Sequence, residues 1–480
     1  MTIIYLIAAL AVSIAQFAVR NKRISDVVLA TSLALQLLFT TYAVMQYGTT
    51  EHSFFRFDGL SVLMLLSLVL ITIAAFVHSS QYTGSCDAEN ASRVRAQYRG
   101  AMQMLVLALT IAYISVHIAL TWVFVEITTL SASALIFYRR KAGSIEATWK
   151  YVFACSVSLV FVYVGILFFS IAMGANAEAG LTIDNISTNA DNIDAFWLKM
   201  AFIFIFVGYS AKASLVPMFT AGIDAKDKAP TPAAALMSSV LMNAGFVGFY
   251  RIYAIVAHTS VRHWADMVLL ITGIVSILVA AVYLVKVDNV KRLFAYSSVE
   301  HMGVVVVGIA MGGIGVYAAV LHLVLHSLVK ASIFMHIGQL YRVYQSKMIS
   351  CMGKYFNTSG IGGTFLIIAM LCITAMPPSG MFMTELMIFR SMIDASQWVV
   401  LATTMILLTI IVWAIGRDVF SILFLSAPSP DSRRPAKVSI PPCELAMQVL
   451  LIVVSIWFGY ATPNFISNLI SNAVELVGTL

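Results

Sequence analysis

Apolar runs of about 20 residues recur along the whole chain with short polar breaks between them. Each is long enough to cross a hydrocarbon core of ~30 Å as an α-helix. About fourteen such runs begin near Met1, Ser25, Gly59, Gly100, Val116, Lys150, Phe196, Pro232, Trp264, Phe294, Val316, Gly362, Trp398 and Cys443. The turn near His117 is tight, and the run from Gly362 to Met392 admits either one broken helix or two spans. The first run is too long for a signal h-region, and positive charge follows it rather than precedes it. Only 11% of the 480 residues are charged, where a soluble domain carries roughly 25%. The sequence therefore predicts an all-α polytopic membrane protein.

The net charge of +7 would suggest nucleic acid in a soluble protein. Here its placement explains it, and no nucleic-acid partner is expected. Basic residues follow the odd-numbered runs: Arg20, Lys22 and Arg23, then Arg93, Arg95 and Arg99, then Arg139, Arg140, Lys141 and Lys150. The pattern continues with Lys226 and Lys228, with Lys286, Lys291 and Arg292, with Arg342, Lys347 and Lys354, and with Arg433, Arg434 and Lys437. These connections hold 21 of the 29 Lys and Arg, and the connection before Phe196 is acidic. The bias places them in the cytoplasm and both termini on the non-cytoplasmic side of the cell's inner membrane.

No connection is long enough to bury a core of its own. None of the five cysteines forms a CxxC pair, which argues against an iron–sulfur cluster, a zinc site or a disulfide framework. No nucleotide fingerprint or Ser/His/Asp arrangement is present. No cofactor is expected on this chain, and any redox chemistry belongs to another one.

Function is expected at the few ionisable residues inside the apolar runs, because a charge at the bilayer centre costs several kcal/mol. Glu126 sits in the middle of TWVFVEITTLSASAL, and Lys212 lies five residues before Pro217 in YSAKASLVP. A proline there frees a carbonyl and breaks the helix, and broken helices at membrane depth form ion sites. The plainer alternatives are a snorkelling lysine or an ion pair that only joins two helices. His322, His326, Lys330 and His336 fall at roughly 0°, 40°, 80° and −40° around one helix, which makes a continuous stripe. Such a stripe suits proton passage through waters. A metal site would need carboxylates nearby, and a plain buried polar seam is the remaining reading.

Pro377, Pro378 and Gly380 break the twelfth run, with Glu385 within two turns. This resembles the device at Lys212 and Pro217 with an acid in place of the lysine. The pattern divides the chain into helices 1–3 over 1–99, two inverted five-helix repeats over 100–258 and 259–424 with one broken helix each, and a loop and last helix over 425–480. Glu300 and His301, near the start of the tenth run, are candidates for an entry path, as is Asp224. Arg251, Arg390, Arg417 and Asp418 lie nearer run ends and are read as snorkelling.

Several segments resemble the antiporter-like proton-translocating subunits of respiratory complex I, of multisubunit cation/proton antiporters and of group 4 membrane-bound hydrogenases. They are GYSAKASLVPMFTAGIDAKDKAPTPAAALMSSVLMNAGFVGFYRI, VDNVKRLFAYSSVEHMG, HLVLHSLVKASIFMHIGQL and MPPSGMFMTELMI. AYSSVEHMG and EATWKYVFACSV look most like component F of hydrogenase-4 and formate hydrogenlyase-type complexes. The resemblance implies that Glu126 and Lys212 form an ion pair. It also implies that Lys330 is a central lysine flanked by His322 and His326, and that Glu385 ends the proton path. Implied partners are other membrane subunits, a hydrogenase-like or complex I-like peripheral redox arm, and lipid. The chain itself is then a non-catalytic, ion-translocating subunit of an oxidoreductase complex. A Na⁺/H⁺ antiporter subunit without redox drive, or an anchor that no longer pumps, is the alternative. The sequence departs from the family at Phe219, Ala221, Gly222, Ile223 and Lys228, all in the connection after the seventh run.

Overall fold

The computed structural model describes residues 1–82, 91–140, 142–174, 180–188, 193–427 and 441–478. Lys141, Arg433, Arg434 and Lys437 of the basic connections lie outside them. The helices are α1 (Thr2–Ala18), α2 (Lys22–Met45), α3 (Gly59–Tyr82), α4 (Ala91–Ile114), α5 (Ile118–Ile136), α6 (Ala142–Met173) and the short α7 (Ile183–Thr188). Then come α8 (Ala195–Ala213), α9 (Thr220–Lys228), α10 (Thr231–Ser238), α11 (Val240–Val256), α12 (Arg262–Leu284), α13 (Val290–Met311) and α14 (Ile314–Tyr344). The rest are α15 (Tyr355–Thr358), α16 (Gly360–Ile373), α17 (Gly380–Asp394), α18 (Trp398–Phe424), α19 (Pro442–Tyr460) and α20 (Asn464–Glu475). A two-stranded ribbon pairs Thr50–Glu51 with Phe55–Arg56.

Among the described residues, eleven helices are long and apolar enough to cross a membrane. The first helix and α16 are shorter apolar helices. Large apolar side chains stay exposed along α6 at Phe153, Val160, Leu167 and Ile171, while Tyr151, Cys155 and Ser158 of the same helix are buried. That inverted amphipathicity suits a helix whose outer face meets lipid rather than water.

Local chemistry sets the helix starts. Asp194 Oδ1 accepts from the Phe196 and Trp197 amides at the head of α8 (2.8 and 3.3 Å), and Asn289 Oδ1 from the Lys291 and Arg292 amides at the head of α13 (3.0 and 3.3 Å). Ser379 Oγ does the same for α17. The eighth helix stops at Ala213, Ser214 turns left-handed, a cis Val216–Pro217 bond follows, and α9 starts at Thr220. The run from Gly362 to Met392 is likewise interrupted: α16 ends at Ile373 and α17 begins at Gly380, after a cis Pro377–Pro378 bond. One further interruption, at Ser239 between α10 and α11, has no proline to announce it.

The chain forms two compact units: Met1–Ala229 with Val240–Val268 and Asn464–Leu480, and Pro230–Ser239 with Leu269–Pro463. In the first, α6 and α8 approach closely at two glycines. A Cβ on Gly208 would meet Val162 Cγ2 at 2.4 Å, and one on Gly165 would meet Ile205 Cγ1 at 2.5 Å. In the second, α14 is the central helix, packed by α10, α13, α16, α17 and α19.

Arg251, read from the sequence as snorkelling, is buried instead. Its guanidinium donates to the carbonyls of Ser115 and Tyr113, to Ser61 Oγ and to Asp58. Four acceptors from α3, α4 and the residues flanking them replace the water that snorkelling would have sought. Arg390 and Arg417 are more exposed, and each pairs along its own helix, with Asp394 and Asp418.

Candidate functional site

In the first unit the buried cation is Lys212, at the end of α8 just before the break. Gly245 of α11 makes room for it. A Cβ there would stand 2.8 Å from Lys212 Cβ and 2.6 Å from the Ala213 nitrogen. Lys212 Nζ donates to Tyr151 Oη at 3.1 Å and lies 5.2 Å from the centre of the same ring. Glu126, half-buried on α5, accepts from Ser156 Oγ at 2.8 Å and from Thr129 Oγ1 at 3.1 Å.

Two hydroxyls of α6, on Tyr151 and Ser156, thus stand beside the two groups that the family resemblance pairs, one on each. Neither residue is singled out by the sequence, where a tyrosine and a serine in an apolar run are ordinary.

Beyond the break, Asp224 of α9 is half-buried. Lys226 is fully buried, and its Nζ donates to Ser214 Oγ (3.1 Å) and contacts Met242 Sδ (3.3 Å). The neighbouring Asp227 carboxylate lies 3.1 Å from Lys228 Nζ.

In the second unit the stripe on α14 meets a partner ring. His301 of α13 stands against both His322 and His326, with ring centres 5.3 and 5.2 Å apart. Its Nδ1 lies 3.3 Å from His322 Nε2 and 3.3 Å from Glu300 Oε1. Glu300 and His301 were expected near the start of their helix. The Asn289 cap starts α13 at Val290, so both fall at its middle and are buried. Thr384 Oγ1 of α17 lies 2.8 Å from His322 Nδ1. Lys330 Nζ donates to the Phe294 carbonyl at 2.6 Å and to Ser297 Oγ, both on α13. His336 leaves this group, and its Nδ1 faces Gln448 Oε1 of α19 at 3.3 Å.

Glu385 closes the cluster. One ligand atom from each of His301, His322 and Glu385 lies within 4.8 Å of the others. On its other side Glu385 lines a mostly apolar cavity of about 280 Å³ with Thr374, Pro377, Phe382, Met405 and Thr409. Two imidazoles and a carboxylate are a set that holds a divalent transition ion, and the carboxylates that the stripe lacked in sequence are supplied by neighbouring helices. Imidazoles and a carboxylate are also groups that can exchange protons near neutral pH, and Thr384 and His301 contact the two nitrogens of His322.

A family model described as NADH:quinone oxidoreductase/Mrp antiporter, TM, matches residues 115–411, more than half of the chain. The chain belongs to this family. It is 30% identical over 345 residues to the Hydrogenase-4 component F homolog of Methylacidiphilum infernorum, covering 71% of this chain and 72% of that one. In fold it is similar to a chain of the membrane-bound sulfane sulfur reductase, an archaeal respiratory membrane complex, with TM-score 0.83 and 20% identity over 99% of this chain and 98% of that one. A chain of the Mrp complex from Dietzia sp. DQ12-45-1b gives TM-score 0.82 and 18% identity over 99% and 97%. The protein is thus an integral multi-pass membrane subunit of this family. The matched stretch contains Glu126, Lys212, Glu300, His301, His322, His326, Lys330, Thr384 and Glu385.

Proposed function

We propose that this chain is the proton-translocating membrane subunit of a redox-driven complex, complex I-like or of the group 4 hydrogenase, formate hydrogenlyase type. The observation that carries the reading is the buried line Thr384, His322, His301 and His326, with Lys330 on the same helix and Glu385 beside it. A line of imidazoles inside apolar helices has no structural need that apolar side chains would not meet, and it is a standard device for proton relay. Lys212 and Glu126 form the loading end. At an effective dielectric of ~20, a unit charge pair is worth about 4 kcal/mol at about 4 Å and less than half of that at about 9 Å. A shift of Glu126 toward or away from Lys212, through the α6 hydroxyls, then loads or releases a proton. The proton passes to Lys330 and leaves by Glu385.

In the same proposal about fourteen helices cross the cytoplasmic membrane, with two inverted five-helix repeats over 100–258 and 259–424 and both termini on the non-cytoplasmic side. The partners are further membrane subunits and a peripheral redox arm. A second reading, a multisubunit Na⁺/H⁺ antiporter without redox drive, is favoured by the fold shared with the Mrp chain. Purification in mild detergent tests the choice. A co-purifying nickel-iron hydrogenase-like large subunit supports the redox reading, and only small membrane partners support the antiporter.

A further inference from the structure

The last long helix, α19, turns two different faces outward and inward. Val449, Leu450, Val453 and Trp457 are exposed, whereas Glu444 and Gln448, one turn apart, are buried at 2% and 0% exposure. Both face polar groups of α14. Ser332 Oγ donates to the Gln448 carbonyl at 2.8 Å, and His336 Nδ1 lies 3.3 Å from Gln448 Oε1. Gln339 Nε2 donates to Glu444 Oε2 at 3.4 Å, and the Arg342 guanidinium bonds the same oxygen. Ser332, His336, Gln339 and Arg342 fall within a sector of about 120° on α14. The line starts two residues beyond Lys330 and ends at Arg342, whose side chain is 29% exposed.

A seam that only holds α19 in register does not require this. Apolar side chains of similar volume would pack the two helices without burying a carboxylate. The network is also incompletely paired, because Gln448 Nε2 and Gln339 Oε1 are buried with no hydrogen-bond partner. A donor and an acceptor left in one polar seam are the partners that an internal water takes.

We propose that the α14–α19 seam is a second proton-access path, which joins the cytoplasmic end of α14 to the neighbourhood of Lys330. Glu444 and Arg342 form its mouth, Gln339 and Gln448 hold its water, and His336 is its relay group. The step is a proton transfer alone: His336 accepts a proton from the seam water and passes one on toward the Lys330 amine. The rise from His336 to Lys330 is about 9 Å along the helix, a span that needs water rather than direct contact. The path rests on the proposed proton function and on the cytoplasmic placement of Arg342, and its direct test shares the second premise but does not depend on proton movement.

That test is labelling of the assembled complex in membranes. Cys443 is exposed next to Glu444, so Cys443→Ser with Cys351→Ser and Cys86→Ser gives the background. Gln448→Cys is then treated with a small charged thiosulfonate from each side separately, and Gln339→Cys serves if the first variant does not assemble. The path predicts modification from the cytoplasmic side and protection from the other. It also predicts that Gln448→Leu lowers proton flux per assembled complex by about tenfold. Absence of modification at both positions, or modification only from the opposite side, overturns the path whether or not the protein moves protons. Wild-type flux per complex in Gln448→Leu, with flux lost in Lys212→Ala, overturns it while leaving the main function standing.

Discussion

His301 Nδ1 stands 3.3 Å from His322 Nε2, so one imidazole donates to the other across α13 and α14. The far side of the His322 ring meets α17, where Thr384 Oγ1 lies 2.8 Å from His322 Nδ1. An imidazole nitrogen donates in one tautomer and accepts in the other, so the hydrogen bond between the rings can run either way. The two helices α13 and α14 thus share an N–H···N bond inside the apolar core.

Breaking this bond should slow proton transfer without removing a loading site. For both His301 and His326, the expected order of flux is wild type, then Gln, then Leu, because an amide still holds a water but does not titrate near neutral pH. Flux is measured per assembled complex. Equal normalised flux in wild type and His301→Leu would take the α13 ring out of the path and reduce the cluster to packing.

The α6 hydroxyls should couple Glu126 to Lys212. Tyr151→Phe keeps the ring under the ammonium but removes the 3.1 Å hydrogen bond. A bond to a charged group is worth about 1.5–3 kcal/mol, so the rate of proton uptake should fall about tenfold or more. Ser156→Ala, which frees one oxygen of Glu126, should act in the same direction. Unchanged uptake in both would show that the two charges communicate without α6.

Helix positions were legible because hydropathy and caps are local. The expected start near Phe196 and the one at Trp398 fall within one residue of α8 and α18. The expected helix starting near Gly100 begins instead at Ala91, since Arg93, Arg95 and Arg99 continue the helix at the span's polar end. The stripe of His322, His326 and Lys330 could be read from one helix's own angles. The ring that joins His322 to His326 could not, because His301 comes from α13 and its facing depends on how two helices rotate against each other. Tyr151 and Ser156 were silent for another reason. A serine in an apolar helix commonly bonds its own backbone, and a tyrosine is ordinary among apolar residues, so neither signals a partner on another helix.

Gly245 should be intolerant of any side chain. Gly245→Ala would place its Cβ 2.6 Å from the Ala213 nitrogen, and such overpacking costs about 1–3 kcal/mol. Gly416→Ala is the control, since nothing lies within 4 Å of its added methyl. Thermal unfolding of the purified complex should drop for the first and not for the second. Equal melting of both would mean that α8 and α11 can part at no cost.

Both chain ends should lie on the non-cytoplasmic face. Single cysteines introduced next to Met1 and Gly478 should react with an impermeant thiol reagent only from that side. Labelling from the cytoplasmic side would invert the topology and with it the direction of the proposed path.

In the proposed cycle a buried lysine before a helix break, Lys212, loads the translocated proton. Lys212→Ala removes the amine and keeps a residue that favours helix. Proton uptake by inverted membrane vesicles, read beside a native gel of the complex, measures the consequence directly. Loss of uptake in a complex that still assembles is the result predicted here, and wild-type uptake in the assembled variant would contradict it.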